Sequence, residues 1–259
     1  MEFDQIYQDD SLELMQSIDF KSIDLICTDP PYIRSLVDLY QWEISFSDFA
    51  ESFDRILSDK GQIAIFGDFL TSVEIANAFK PFFKFRYFYT WIKSNGQPVN
   101  KKQPRSNVEL ITIWKKKKTL TRDLVFNPIM RPGDPYRKKT RAINPTRKKS
   151  LEYETINTTG DRFPNQTILF PSKCNLTLDE RATAKPFPCY KSVALIGYLI
   201  KTLSNENDLV LDPFSGSGSV AIVCQRLNRR FICIEKDSEF FIKSLEWLEN
   251  EKCKITLPL

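Results

Sequence analysis

A four-residue turn near the N-terminus has the side chains best suited to chemistry. Asp29-Pro30-Pro31-Tyr32 follows an apolar run, residues 22–28, that predicts a buried strand ending at the prolines. The exocyclic amine of a nucleobase is a poor nucleophile, because its lone pair is conjugated with the ring. Asp29 can accept one amine hydrogen and the carbonyl of Pro30 the other, which would draw the nitrogen towards a nucleophilic, tetrahedral state.

The remaining two residues of the turn fit the same hypothesis. Pro31 fixes the turn so that the Pro30 carbonyl points into the site, and Tyr32 offers a flat ring for stacking. An enzyme acting in this way on a duplex would flip the base out of the helix. A rigid turn that only ends a strand would explain the prolines, but not Asp29 and Tyr32 together. The turn therefore predicts activation of a base amine.

A second candidate site lies in the C-terminal part of the chain. Residues 211–218, Leu-Asp-Pro-Phe-Ser-Gly-Ser-Gly, lie between a predicted strand and a predicted helix, where small residues let the backbone approach a ligand. Glu235 ends the next strand, 19 residues after Gly216, where Rossmann-like sheets place an acid that binds ribose hydroxyls. The alternative is an ordinary tight turn between strand and helix that binds no ligand.

The same loop distinguishes between two cofactors. The full three-glycine fingerprint of a pyrophosphate site is missing, which excludes a nicotinamide dehydrogenase. Asp212 would repel a pyrophosphate, whereas its carboxylate suits the ammonium group of a methionine moiety. The loop therefore favours S-adenosylmethionine.

Composition narrows the chemistry further. The chain has no histidine, which excludes Ser-His-Asp and Cys-His hydrolysis and every metal site that needs imidazole. Its six cysteines form no Cys-x-x-Cys pair and several lie in apolar runs, so buried reduced thiols and no metal are expected. No apolar run reaches the roughly 18 residues of a membrane span, and the N-terminus lacks a signal pattern, so a cytoplasmic protein is expected.

Positive charge is concentrated in the middle of the chain. Residues 84–149 contain 19 Lys and Arg residues against 3 acidic ones, although the formal net charge of the whole chain is only +4. This concentration predicts a surface for a polyanion such as DNA, with a solvated basic face as the alternative. The expected phosphate contacts are Lys115, Lys116, Lys117, Lys118, Arg137, Lys138, Lys139 and Arg141.

Apolar periodicity predicts the elements that must position these residues. Besides residues 22–28, predicted strands span residues 61–66, 83–91, 108–114, 208–212 and 230–235. Predicted helices span residues 47–57, 70–79, 193–203, 219–227 and 238–249. The alternation of strand and helix towards the C-terminus indicates a parallel sheet. Residues 115–185 have few periodic apolar runs and predict a small irregular module.

On these motifs, the chain resembles the beta class of bacterial and phage DNA amino-methyltransferases, in which the catalytic turn precedes the cofactor loop. The resemblance covers nearly the whole chain, from residues 6–32, the opening segment and catalytic motif, to residues 231–237, the ribose-binding strand end. Residues 160–164 and 168–171 are similar to a stretch that often follows the family's target-recognition insert. The cofactor contacts that the resemblance and the loop imply are Asp10, Lys191, Asp212, Phe214, Ser215, Gly216, Gly218 and Glu235.

One motif departs from the family pattern. The family has His-Pro-Thr-x-Lys-Pro before the cofactor strand, and here Phe187 stands in place of the His and Ser192 in place of the last Pro if Lys191 is the motif lysine. A second register through Lys185 matches the letters better but needs six extra residues before the helix. Lys191 is favoured, because the helix and its distance to the cofactor strand then agree.

The resemblance implies a Rossmann-like, doubly wound, mostly parallel α/β sheet of seven strands, with one reversed strand supplied by the hairpin 83–114. Residues 1–114 would form the catalytic half, 115–185 a basic target-recognition insert and 186–259 the cofactor-binding half of the same domain. Many members of the family dimerise, so a homodimer is a further expectation from the resemblance alone.

The expected activity is site-specific methylation of DNA. The methyl group would pass directly from S-adenosylmethionine to N6 of a flipped adenine, without a covalent intermediate. Adenine is expected because, in the family that the chain resembles, Asp at the position of Asp29 goes mostly with adenine and Ser with cytosine. Methylation of cytosine N4 is the nearest alternative. An amine methyltransferase acting on protein or RNA is less favoured, since those families place the cofactor loop first. A non-catalytic DNA-binding partner subunit would not need both motifs intact.

Overall fold

The computed structural model of the protein describes residues 1–32, 44–97, 102, 104–143, 150–170 and 191–256. Its strands are β1 (Gln5–Gln8), β2 (Ile23–Thr28), β3 (Leu57–Gly67), β4 (Phe83–Gln97), β5 (Ser106–Lys116), β6 (Tyr136–Ile143), β7 (Ser150–Asn157), β8 (Thr167–Phe170), β9 (Leu209–Asp212) and β10 (Arg230–Glu235). Its helices are α1 (Ser11–Met15), α2 (Phe46–Ile56), α3 (Phe69–Phe79), α4 (Val193–Leu203), α5 (Ser219–Arg226) and α6 (Ser238–Thr256). Every predicted strand and helix is present; the helix at 193–203 and the strand at 230–235 have the predicted ends, and the other elements have shifted ends.

The main sheet has eight strands in the order β1-β10-β9-β2-β3-β5-β4-β8. Only β5 runs against the others: it is antiparallel to both β3 and β4, while the remaining pairs are parallel. The predicted mostly parallel sheet with one reversed strand is therefore confirmed. The predicted count of seven is one too low, because β8, a strand of four residues, extends the sheet at β4.

Both faces of the central strands are buried, as in sheets covered by helices on each side. Along β3, Ala64 and Phe66 pack into one hydrophobic cluster with residues of α4, α5 and α6. Their neighbours Ile63 and Ile65 pack into a second cluster with residues of α2 and α3. Successive side chains of a strand point to opposite faces, so this apolar run fills both cores. The arrangement is doubly wound.

β9 and β2 are parallel neighbours, with Leu25 opposite Val210, and the order in which the chain adds strands to the sheet reverses between them. Chain connections lead from β2 towards β3 on one side and from β9 towards β10 on the other. In open α/β sheets the crevice at the carboxyl ends of such strands is where ligands bind. β2 ends at Thr28 and β9 at Asp212, so the fold brings the Asp29 turn and the glycine loop to the same crevice.

The chain divides into two compact units, Pro128–Asn165 and the remainder. The smaller unit contains the antiparallel pair of β6 and β7, in register from Tyr136–Asn157 to Ile143–Ser150. The module predicted to be irregular therefore contains a regular hairpin. Periodicity missed it because Arg137, Lys138 and Lys139 are all exposed, so β6 lacks the apolar alternation of a half-buried strand.

The predicted insert, residues 115–185, includes the smaller unit. Asn127 is the last residue of the larger unit before the smaller one begins. It donates from its backbone N–H to the carbonyl of Thr202 and from its side chain to the carbonyl of Ser204, so this residue is attached to the end of α4. Residues 171–190 lie outside the described part of the chain, so the predicted boundary at 185 stays a prediction. No helix among the described residues has the length and apolar character to cross a membrane.

Candidate active site

A cleft of about 390 Å³ opens at the carboxyl ends of the central strands of the larger unit. The predicted site residues that line it are Asp10, Asp29, Pro30, Pro31, Tyr32, Lys191, Asp212, Phe214, Ser215, Gly216 and Glu235. Gly218 lies beside the cleft and forms the N-cap of α5 with φ +80°. The structure thus brings together two motifs that are more than 180 residues apart in the sequence.

Asp29 makes two close contacts, one within its own turn and one to a distant lysine. Its Oδ1 accepts a hydrogen bond from the Tyr32 hydroxyl at 3.0 Å, and its Oδ2 lies 2.7 Å from Lys191 Nζ. The Asp29 side chain is 21% exposed, so it remains accessible from the cleft. Burial raises the pKa of the Asp29 carboxyl, and the positive charge of Lys191 offsets only part of that rise.

Lys191 precedes α4, whose N-cap Ser192 accepts from the N–H of Leu195. The Lys191 ammonium is surrounded by aromatic rings, 5.4 Å from the Tyr32 centroid, 5.2 Å from Phe66 and 5.8 Å from Trp91. Burial by itself would lower the pKa of Lys191, but the adjacent carboxylates outweigh it and raise that pKa. The sequence predicts a cofactor contact for Lys191. In the structure Lys191 lines the cleft and pairs with Asp29 of the Asp-Pro-Pro-Tyr turn, and Lys185 lies outside the described residues.

Glu109 is a member of this site that sequence reasoning missed. It lies near the start of the reversed strand β5, is 8% exposed, and lies 3.3 Å from Lys191 through Oε2. The same oxygen accepts from the Tyr32 hydroxyl at 3.0 Å, while Oε1 pairs with Lys93 of β4. Burial would raise the pKa of Glu109, but the two lysines outweigh it and lower that pKa. The available signal was an acid within an apolar strand of a basic segment.

Asp212 forms the other side of the cleft at the end of β9. It is 3% exposed, and its Oδ1 accepts from the Thr28 hydroxyl at 2.7 Å and from the N–H of Phe214 at 3.1 Å. The bond from Thr28 joins the ends of β2 and β9. Burial raises the pKa of Asp212 to about 7, despite these hydrogen bonds. A nearby cation would favour its ionised form.

Glu235 ends β10 and supports the glycine loop. Its Oε2 accepts from the N–H of Gly216 at 2.6 Å, and its Oε1 from the N–H of Asp237 at 2.9 Å. Burial raises the pKa of Glu235, although the backbone hydrogen bonds oppose this. Gly216 has φ +51°, and a Cβ there would have no atom within 4 Å, so the loop has open space beside it. Asp10 caps α1 and pairs with Lys236 at 2.9 Å.

The predicted phosphate contacts form two groups, one in each compact unit. Lys115 is 5% exposed and donates to the carbonyls of Lys116 and Thr119, while Lys116 donates to the carbonyl of Asp54. Both lie at the far end of β5 from Glu109. The remaining positions of that run, Lys117 and Lys118, are exposed at the same end.

The other basic run lies on the hairpin of the smaller unit. Arg137 makes a bidentate contact with Glu154 at 2.6 and 2.7 Å. Lys138 and Lys139 are exposed, and the side chain of Arg141 lies outside the described residues. Lys138 and Lys139 are thus accessible to a phosphate backbone.

The doubly wound sheet and the cleft at its switch point make the protein a Rossmann-like α/β protein with a ligand-sized site. A family model described as DNA methylase, covering N6 and N4 amino-methyltransferases, matches residues 23–245. That match spans most of the chain, so the protein belongs to this family of DNA methyltransferases.

Curated relatives agree with this assignment over most of their own length. The type II methyltransferase M1.MboII of Moraxella bovis is 28% identical over 264 residues, with 93% of this chain and 94% of the relative covered. M.HpaI of Haemophilus parainfluenzae is 27% identical over 256 residues, with 93% and 73% covered.

Solved structures share the fold. M1.HpyAVI superposes with a TM-score of 0.63 at 25% identity, covering 94% of this chain and 98% of the other. The PvuII DNA methyltransferase, described as cytosine-N4-specific, superposes with a TM-score of 0.66 at 18% identity, covering 96% and 90%. At 18% identity the second likeness shows the fold alone.

Proposed function

We propose that this protein methylates N6 of adenine in DNA, with S-adenosylmethionine as the methyl donor. The observation that carries the proposal is the Asp29-Pro30-Pro31-Tyr32 turn, which opens into the same cleft as the glycine loop and Glu235. The cleft is therefore lined both by acceptors for a base amine and by acids suited to the ribose and amino-acid parts of S-adenosylmethionine. Among the solved relatives, M1.HpyAVI has been determined as a complex with S-adenosylmethionine.

The cleft fits S-adenosylmethionine in its acceptor groups and its volume. Its volume of about 390 Å³ lies within the usual range of roughly 300–1,000 Å³ for small-molecule sites. Glu235 would accept from ribose hydroxyls with its unused lone pairs, and Asp212 would balance an ammonium group. The cofactor supplies an electrophilic methyl group on a sulfonium centre.

The residues of the turn hold the amine and orient its lone pair. Asp29 accepts one amine hydrogen and the Pro30 carbonyl the other, so that the lone pair points towards the methyl group. The Tyr32 ring packs against the base. The new bond between nitrogen and the methyl carbon would form as the carbon–sulfur bond breaks, leaving S-adenosylhomocysteine. The nitrogen would lose a proton only afterwards, and the raised pKa of Asp29 suits its carboxylate to accept that proton.

Adenine is proposed over cytosine because Asp29, and not a serine, begins the turn, and because a purine gives Tyr32 the larger stacking area. Cytosine N4 is the second candidate. The likeness to a cytosine-N4-specific enzyme extends to the fold and carries no preference for either base.

Nucleoside mass spectrometry tests this proposal directly. DNA incubated with the protein and methyl-labelled S-adenosylmethionine should yield labelled N6-methyladenine. Label in N4-methylcytosine would transfer the proposal to the second candidate. Label in 5-methylcytosine, or a trapped covalent adduct of protein and DNA, would overturn the mechanism.

A further inference from the structure

The buried carboxylate of Glu109 has no part in the proposed mechanism, which uses Asp29, Pro30 and Tyr32. Burying a carboxylate costs free energy unless it is paired, and here two lysines and a tyrosine hydroxyl are used to pair it. Glu109 reaches the site only because β5 is reversed: its start lies at the carboxyl edge of the sheet, where Glu109 pairs with Trp91 of β4.

We propose that Glu109 is a positioning residue for methyl transfer, which shares Lys191 and the Tyr32 hydroxyl with Asp29 and so sets how well Asp29 can accept from the base amine. This inference rests on the proposed function. The Tyr32 hydroxyl lies 3.0 Å from Asp29 Oδ1 and 3.0 Å from Glu109 Oε2. A hydroxyl has one proton, so it donates to one of the two carboxylates at a time.

Lys191 is shared in the same way. Its Nζ lies 2.7 Å from Asp29 Oδ2 and 3.3 Å from Glu109 Oε2. If Glu109 lost its charge, both the ammonium and the hydroxyl would turn to Asp29. An acceptor that is already saturated by two strong donors binds an amine hydrogen less well. Glu109 therefore keeps acceptor capacity on Asp29 available to the base.

The charges of the cluster support this assignment. Two carboxylates, Asp29 and Glu109, face two ammonium groups, Lys191 and Lys93, so the cluster is neutral as a whole. The attacking amine gains positive charge as the methyl group is transferred. A cluster without the charge of Glu109 would carry a net positive charge and oppose that change, because such groups act strongly in a water-poor site.

The groups that face Asp29 determine the expected pH dependence. Besides Lys191, Glu109 and Tyr32, these are Asp212 and Cys27, with Lys93 acting through Glu109. The charge of Glu109 raises the pKa of Asp29, and that of Lys191 lowers it. Glu109→Gln should therefore lower the pKa of Asp29, whereas Lys191→Met should raise it.

The test is the single-turnover rate of methyl transfer as a function of pH, at saturating S-adenosylmethionine and DNA. Glu109→Gln should reduce the plateau rate by about tenfold or more, on the scale of a one-unit change in the pKa of an acceptor. It should also move the acidic limb of the profile to lower pH. Lys191→Met should move that limb to higher pH.

Glu251→Gln is the matched control. Glu251 is also a buried carboxylate, 5% exposed and 2.6 Å from Arg226, but it does not line the cleft. Its variant should keep the native pH profile. A purely structural role of Glu109 would lower the rate without moving the acidic limb, and that result would overturn the inference.

A direct titration separates this inference from the proposed function. In protein labelled with carboxyl-¹³C aspartate, the Asp29 resonance is identified by its loss in Asp29→Asn and followed by NMR against pH. The midpoint should fall in Glu109→Gln and rise in Lys191→Met. Unmoved midpoints would refute the inference even if the native protein methylates adenine. A native protein that methylates no DNA base would refute the proposed function, whatever the titration shows.

Discussion

In the proposed mechanism, Asp29 must release part of its contact with Lys191 when a base amine enters the site, because both need the same carboxylate. Lys191 lies 2.7 Å from Asp29 Oδ2 and also 3.3 Å from Glu109. The second carboxylate gives the ammonium an alternative partner, so that the exchange leaves no buried charge unpaired. Leaving such a charge unpaired would be strongly unfavourable.

Asp29→Asn tests the role of that carboxylate. The amide retains the size of the side chain but places a donor where the mechanism requires an acceptor. Methyl transfer should fall by about 100-fold or more, the range typical of removing an acid–base group. Calorimetry should find the affinity for S-adenosylmethionine within a few fold of native. Near-normal turnover by the folded variant would contradict the assignment of Asp29.

Asp212 predicts a pH-dependent affinity for the cofactor. Its pKa is about 7 because it is buried, so below pH 7 a proton must be released before its carboxylate can pair with an ammonium. The affinity for S-adenosylmethionine should therefore decrease as the pH falls from about 7.5 to about 5.5, by at most about tenfold per unit. Isothermal titration calorimetry at several pH values measures this.

Two controls isolate the effect of Asp212. Asp212→Asn removes the titrating group, so its cofactor affinity should be lower and nearly independent of pH in this range. Methylthioadenosine lacks the amino-acid moiety, and its affinity for the native protein should also stay constant. If the affinities of S-adenosylmethionine and methylthioadenosine changed equally with pH, Asp212 would not face the ammonium group.

Among the elements, the loop between β9 and α5 depends on two glycines with left-handed backbones, and their surroundings differ. Gly218 has φ +80°, and a Cβ there would lie 3.1 Å from Ser244 Cβ. Gly216 has φ +51° and open space beside it. Gly216→Ala should lower the free energy of unfolding by about 1 kcal/mol, through backbone strain alone.

Gly218→Ala should cost more than Gly216→Ala, about 2–3 kcal/mol, because α6 must also move away from the new methyl group. Urea denaturation followed by circular dichroism measures both variants. Equal decreases in stability would show that the crowding against Ser244 relaxes without cost. Gly216→Ala should still weaken cofactor binding, because its methyl group would point into the open space beside the loop.

The elements that the sequence predicted are defined by local apolar patterns, whereas those it missed depend on contacts with residues far away in the sequence. The apolar runs Ile23–Thr28 and Val193–Leu203 could be predicted from the local sequence, because most of their side chains are buried and the apolar pattern is therefore strong. β1 and β8 have four residues each and exist only through pairing with distant strands. Local apolar periodicity cannot reveal pairing between strands that are distant in the sequence.

The same reasoning explains the site. Asp29 and Asp212, which line the cleft, could be singled out from the sequence because each lies in a local motif whose chemistry can be recognised alone. Glu109 belongs to no motif, and its proposed role depends on β5 being reversed, which brings it beside Lys191. A single acid in a strand gives no sign of which residues it will meet.

At the scale of the whole molecule, the net charge of +4 conceals two basic runs with different surroundings. β5 ends at Lys116, seven residues beyond Glu109, which is roughly 23 Å of extended strand, and the basic run Lys115–Lys118 lies at that end. Lys115 and Lys116 are also engaged by backbone carbonyls there. We therefore expect the exposed lysines of the hairpin, rather than the run on β5, to contact the phosphates of a duplex.

The salt dependence of DNA binding distinguishes the two runs. Neutralising Lys138 and Lys139 together, as Lys138→Gln and Lys139→Gln, should weaken binding to all DNA sequences alike. The slope of log affinity against log salt should become shallower by about 0.9 for each phosphate that is no longer neutralised, and by at most about 1.8, because these neighbours point to opposite faces of β6. The matched control, Lys117→Gln with Lys118→Gln, removes the same charge from the far end of β5 and should leave the slope unchanged. Fluorescence anisotropy of a labelled duplex at several salt concentrations measures both. If the control flattened the slope as much as the hairpin variant, the phosphate backbone would have to run along β5, and the hairpin would lose its proposed role.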